Sequence, residues 1–574
     1  MGYSVERHLR GEHGTFDDPT GTGSNDKPKA PLGAPLFNGW PTWTTTVHQQ
    51  MYYKWIERAY RGGLRLMVLH AVHSEAFCEV SVQLEGVECW DSMAQIDLQI
   101  QAAYDFQAWL DSENGGPGKG WFRIVKTPAE ARQVVLQGKL AVTLGIEVDN
   151  IFNCKATGDC PNMPGHPELN TLQKAVDYYY DWGVRHIFPV HNFDNAIAGT
   201  ATWLDPLASG NRFVEAQWPQ TQDCADAPDG ETGYGFRHSQ TTVNFLYSLA
   251  CDISNEILGR CLVGSAPPYD QETSCNIRGL TEEGGKLIAM LMNKGMMIDI
   301  DHMSNESLEA TLQMAEANKP NPYPLVASHG LFFDLHKQLY ANKTDPVVGI
   351  GQQGRHERLR TRAQLERLRD VGSLVAVMTM DDVQIGDNFR SKQTVAYTPA
   401  VGTSLPMPTI ADDCRHSTKT WAQAYEYAVD VMGGPVAMGT DFNGVASHLG
   451  PRFGADGCGG ESGTIALGEG RLLERSAQER SKSQLSYPFT NEFGTFNRQV
   501  TGQKSFDFNV DGLAHVGLLP DMIADLKQIG LNDQHLEPLF SSANKYIEVW
   551  EGARNERCGV QPLIFRNSFE TPVP

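Results

Sequence analysis

The 574-residue sequence predicts an α/β fold built on a parallel barrel with long loop insertions. Three observations predict it. Short apolar runs that read as buried strands alternate with amphipathic helical stretches, which implies a parallel sheet. Polar residues collect at the C-terminal ends of those runs, the face where barrel enzymes place their chemistry. Gly-, Pro- and polar-rich stretches too long for simple connections interrupt the alternation.

In chain order the strand runs are Leu64–Ala71, Leu140–Glu147, His186–His191, Met296–His302, Leu325–His329, Leu374–Met380 and Val436–Asp441. Helical stretches between them include Thr171–Trp182, Thr281–Lys294, Ser304–Ala317, Gln364–Val371 and Thr420–Met432. Seven such units are one short of a TIM (β/α)8 barrel, so a missing or disrupted first strand is expected. Residues 1–60 read as an irregular N-terminal segment, 61–557 as the barrel and 558–574 as a tail. The insertions fall at about 152–169, 200–237, 262–278, 386–415 and 446–505, and Val510–Val549 turns helical again.

Composition excludes several classes. Lys and Arg total 47 against 69 Asp and Glu, a formal charge of −22. Nucleic-acid binding needs a basic footprint, and anionic lipid would repel this surface. No run of 18 apolar residues is present, so a transmembrane helix is not expected. Met1–Lys29 is polar and lacks the apolar core of a secretory signal. Yet there are 11 cysteines, several in loop sequence such as Cys154-Lys-Ala-Thr-Gly-Asp-Cys160. Loop cysteines suit disulfides in an exported protein, although scattered buried thiols are the plainer alternative. The spacing of Cys154 and Cys160 predicts a local bridge. Extracellular or periplasmic location is expected if an upstream export signal was lost, and cytoplasmic location otherwise.

Glu147, His191, His302, His329 and Asp441 each close a strand run. A single histidine there is commonly a satisfied structural residue, and an aspartate is commonly a helix N-cap. Five on successive strand ends point instead to one site. Their chemistry suits metal-assisted hydrolysis. A carboxylate bridges divalent cations, imidazoles complete the coordination, and the metal pair activates a water and polarises a carbonyl. Glu147 fits the bridge, His302 and His329 the imidazoles, and Asp441 the group that passes a proton to the leaving amine.

At those positions the strings are Leu144-Gly-Ile-Glu147, Asp299-Ile-Asp-His302-Met-Ser304, Ala327-Ser-His329-Gly330 and Gly439-Thr-Asp441-Phe-Asn-Gly444. In type and order they resemble the motifs of the membrane dipeptidase (renal dipeptidase-like) family of zinc-dependent, amidohydrolase-type peptidases. The resemblance spans roughly residues 60–450. It implies one or two zinc ions, a small-molecule or dipeptide-like substrate, and a homodimer as one candidate assembly. It also implies that His191, in Val190-His-Asn192, contacts the substrate carbonyl.

Two departures are visible. The family's first strand ends in His-x-Asp or His-x-His, and no such motif is found here. His8 and His13 are wrongly spaced in a polar segment, and the three-residue spacing of His70 and His73 puts them on opposite strand faces. The chain therefore reads as lacking its natural N-terminal segment. The family also holds the substrate carboxylate with an Arg after the sixth strand. Here Arg355, Arg358 and Arg360 come later, in Gly354-Arg-His-Glu-Arg358-Leu-Arg360. Arg358 is the candidate for that bidentate contact, and a solvated helix face is its alternative. The expectation is a metal-dependent hydrolase of amide or peptide bonds. The alternatives are an amidohydrolase acting on an ester, lactone or cyclic amide, and a catalytically impaired binding protein.

Overall fold

The apolar runs form strands, and the pairing is parallel throughout the main sheet. The structure, a computed structural model, describes residues 37, 41–45, 50–81, 89–253, 264–336, 355–379, 396–397, 405–410, 414, 416–444, 446–459 and 483–555. The chain falls into two units, Arg65–Val375 with Phe540–Pro574, and Met1–Leu64 with Ala376–Leu539.

In the first of these the parallel strands are β1 (Leu66–His73), β2 (Phe122–Ile124), β3 (Leu140–Val148), β4 (Val184–Ile187), β5 (Met297–Ile298), β6 (Val326–Phe332) and β7 (Leu359–Arg360), and the insertions add a short antiparallel pair, Thr221–Gln222 with Cys275–Asn276. All nine residues of β3 are buried, as expected of a parallel strand covered on both faces. β1 follows one edge of β3, from Leu66 opposite Ala141 to His73 opposite Val148. β2 lies against Leu140–Val142 and β4 against Leu144–Ile146. Since β1 occupies one edge, these two share the other. β5 pairs β4, Asp299 bridges Val326 at the start of β6, and β6 pairs β7. Among the described residues the parallel strands trace no closed barrel.

On its outer edge β1 is met by a side chain. Gln99 accepts from the Val72 N–H at 3.0 Å and donates to the Val72 carbonyl at 2.9 Å, doing there what a neighbouring strand would. Gln99 belongs to the helix Ser92–Glu113, which the sequence reading did not single out. The three-residue β2 is too short to register as a pattern. The His186–His191 run is laddered only to Ile187, and the Met296–His302 run only over Met297–Ile298. Beyond those points the chain turns to build the strand-end loops.

Helix starts follow local chemistry. Thr171, Thr281 and Ser304 precede the helices Leu172–Trp182, Glu282–Lys294 and Asn305–Ala317, and each side chain accepts an N–H from the first turn. Thr361 and Gln364 form a reciprocal capping box on Arg362–Asp370. The insertion at 200–237 carries the helix Asp205–Glu215. Disulfides join Cys78 to Cys89, Cys154 to Cys160, and Cys224 to Cys275. The Cys154–Cys160 bridge is the one the spacing predicted.

The chain passes into the other unit within β8 (Leu374–Met378), whose Ala376–Met378 portion pairs with β9 (Ala437–Gly439). The helix Thr418–Met432 is buried over nearly its whole surface, and Trp421 donates its indole N–H to the Val377 carbonyl at 3.3 Å. Trp55 stacks on His515 with ring centroids 3.9 Å apart, and Arg58 pairs with buried Asp521. Cys414 and Cys458 are bridged. No described helix in the chain is long and apolar enough to cross a membrane. His8, His13 and the 558–574 tail lie outside the described residues.

The loop after β3 is tied to two buried carboxylates. Asn150 donates to Glu75 at 3.3 Å and to Glu215 at 2.8 Å, the Ala156 N–H donates to Glu215 at 2.6 Å, and Lys155 pairs with Glu75. Burial pushes the Glu215 carboxyl up to about 8, against those hydrogen bonds and Lys155, with Glu75 adding to the rise. A raised carboxyl stabilises the fold in its protonated form. Its contribution is complete below the ordinary value of 4.5 and is lost as pH rises through about 8. Thermal melts should therefore show stability falling between about pH 4.5 and 8 and levelling off above that. Glu215→Gln should flatten that fall, and an unchanged slope would show that Glu215 is not the titrating group.

Candidate metal centre

Three buried side chains meet in the unit containing β1–β7. Glu147 is the last but one residue of β3, His302 follows β5, and His329 lies on β6. Glu147 Oε1 is 3.6 Å from His302 Nε2 and 3.7 Å from His329 Nε2, and the two imidazole nitrogens are 2.8 Å apart. One ligand atom from each residue lies within 4.8 Å of the others. His191 brings Nε2 to 3.5 Å from the same Glu147 oxygen.

Neighbours fix these rings. His191 Nδ1 lies 3.0 Å from Asp149 Oδ1, and the carboxylate can only accept, so the ring donates. His329 Nδ1 is 2.9 Å from Ser328 Oγ, and its backbone N–H donates to Asp301 Oδ2 at 2.6 Å. Phe188, wholly buried, sets its ring 5.9 Å from His302 and 5.6 Å from His329. Arg358 donates Nη2–H to His302 Nε2 at 3.1 Å and lays its guanidinium 5.0 Å from the Trp203 ring centre.

Burial, reinforced by the Arg358 charge, holds the His302 imidazole well below its ordinary value. Burial holds His329 at about 3 despite the opposing pull of Glu147. Both rings are therefore neutral, the form that ligates metal. Burial alone would raise the Glu147 carboxyl, but the surrounding imidazoles, His70 first, hold it below the usual carboxylate range. A carboxylate oxygen and two neutral imidazole nitrogens, buried and converging, form a donor set that suits a divalent cation.

Of the residues singled out in the sequence, Glu147, His191, His302, His329 and Arg358 lie together here. Asp441 belongs to the other unit, two residues past β9. Its φ of +50° is left-handed, in a turn where the Gly444 N–H donates to the Asp441 carbonyl at 3.0 Å. A Cβ on Gly444 would lie 2.0 Å from Asp441 Oδ1, so any other residue there would have to displace the carboxylate. The sequence reading passed over Asp149, Asp301 and Ser328. Asp149 could have been found, because it follows Glu147 at the two-residue period of one strand face. His73 lies 3.1 Å from Ser92 Oγ, whereas His70 turns to Glu147.

No family model matches the chain, and no curated protein matches it. Solved structures similar to it, each 13% identical, include an amidohydrolase from Pseudomonas aeruginosa, with a TM-score of 0.40 over 88% of this chain and 93% of that one. A metallo peptidase described as dipeptidase AC gives 0.43 over 87% and 88%. The probable dipeptidase PvdM from Pseudomonas aeruginosa gives 0.43 over 89% and 92%. These likenesses are distant, and the functional reading rests on the geometry of the site.

Zinc titration followed by calorimetry should show a buried site that His302→Ala and His329→Ala each abolish. Full retention by either variant would exclude that ring as a ligand. Arg358 donates into the His302 lone pair that a metal would take. Arg358→Met should therefore tighten zinc binding roughly five-fold, the worth of about 1 kcal/mol of competing hydrogen bond. Equal or weaker binding would show that the contact does not compete.

Proposed function

We propose that this chain is a metal-dependent hydrolase that cleaves an amide or peptide bond in a small, carboxylate-ended substrate. The observation that carries the reading is the buried convergence of Glu147, His302 and His329 with Arg358 alongside. Those three residues would hold the metal, with zinc favoured by the nitrogen-rich donor set. When bound, a divalent ion supplies the Lewis acidity that activates water and polarises a carbonyl.

The chain's own residues supply the rest. His191, its ring fixed by Asp149, faces the same space and is placed to contact the substrate carbonyl. The Arg358 guanidinium offers a two-pronged grip on the substrate carboxylate, and its seat on Trp203 sets the direction of approach. Phe188 closes one wall against water. The sequence string around Asp441 assigns that residue the proton transfer to the leaving amine.

The test is a panel of dipeptides, their C-terminal amides, and simple esters, lactones and cyclic amides, offered to the zinc-loaded chain. Hydrolysis of the free dipeptides, abolished by a chelator, is the expected result. Asp441→Asn should lower kcat by roughly 10²- to 10⁴-fold. Arg358→Met should raise KM for the free acids and leave the amides nearly unchanged. A zinc-loaded chain that cleaves nothing in the panel would leave a binding protein as the reading.

A further inference from the structure

His70 lies on β1 opposite Gly145 of β3, two residues before Glu147 on the same strand face. Its Nδ1 is 3.5 Å from Glu147 Oε2, the carboxylate oxygen not shared with His302 and His329. The ring stands edge to face against His186 at 4.9 Å and against Phe188 at 5.1 Å. A Cβ on Gly145 would lie 2.2 Å from His70 Cδ2, so the facing strand keeps a glycine where the imidazole sits. His70 Nε2 is buried with no hydrogen-bond partner among the described residues. A carboxylate can only accept, so Nδ1 carries its hydrogen toward Glu147.

We propose that His70 is a positioning residue that holds Glu147 Oε2 and thereby keeps Oε1 directed at His302 and His329. This rests on the metal reading above and departs from the sequence reading, which set His70 aside. A ligating carboxylate whose second oxygen is unheld rotates about its last bond and loses orientation. Partners of this kind are worth about 10- to 100-fold in metal affinity. The ring is itself wedged between His186, Phe188 and the Gly145 backbone, so it transmits the position of β1 to the carboxylate.

The test compares zinc affinity and the cobalt(II) absorption spectrum of His70→Phe and His70→Asn with those of the wild type, alongside their melting temperatures. Phenylalanine keeps a ring in the wedge and deletes the donor. Asparagine places an amide N–H near the position of Nδ1. His70→Phe should bind zinc about 10- to 100-fold more weakly with an altered cobalt spectrum. His70→Asn should recover most of the affinity and the wild-type spectrum. If His70→Phe does not fold, His70→Leu takes its place as the donor-free variant. A folded donor-free variant that binds as the wild type overturns the proposal, as does His70→Asn weakening as far as the donor-free variant. Absence of zinc binding by the wild type would overturn the metal reading itself, a distinct result from wild-type binding with an indifferent His70.

Discussion

The Glu147 carboxylate is a charge held out of water, and the arrangement of the site around it follows from that. A buried carboxylate is costly unless its oxygens are satisfied. Here one oxygen faces the Nε2 atoms of His191, His302 and His329 and the other faces His70. Four imidazoles around one carboxylate need rigid placement, and the supports are visible. Asp149 fixes His191, Ser328 and Asp301 fix His329, and Phe188 packs against two of the rings.

That rigidity comes from β3. It is buried over its whole length and paired on both edges, so Glu147 and the residues after it leave the sheet in a fixed direction. The loop beyond it is anchored rather than free. Asn150 joins Glu75 to Glu215, Lys155 answers the Glu75 charge, and the Cys154–Cys160 bridge closes the loop that carries Lys155. Asp149 sits between these two systems, belonging by sequence to the loop and by contact to His191. A disturbance of the loop therefore reaches the imidazole through one hydrogen bond.

Arg358 and His302 show how a cation-binding site handles a neighbouring cation. The guanidinium lies within hydrogen-bond reach of a nitrogen that ligation would require, and its charge helps keep that imidazole neutral. The Trp203 face gives the guanidinium a second seat. The same group thus opposes metal binding and suits an anionic substrate, so the two events are linked through one side chain.

Much of this was legible in the sequence. Strand runs with polar ends located Glu147, His191, His302 and His329, because a parallel strand buried on both faces is a continuous apolar run and its first polar residue marks its mouth. The amphipathic stretches located helix starts to within a residue or two, and the structure places Thr or Ser caps at those starts, because capping is local chemistry. The short spacing of Cys154 and Cys160 likewise sufficed for their bridge. Other features were decided by tertiary structure alone. β2 is three residues long and is a strand only because β3 offers an edge. The helix Ser92–Glu113 shows little amphipathic pattern, yet its Gln99 completes the edge of β1. His70 looked like an ordinary strand histidine, since its meaning depends on the register that sets it beside Gly145 and Glu147. Sequence fixes which residues can do chemistry and where strands end. Only the fold decides which lone pairs and charges face one another, because those distances arise between segments far apart along the chain.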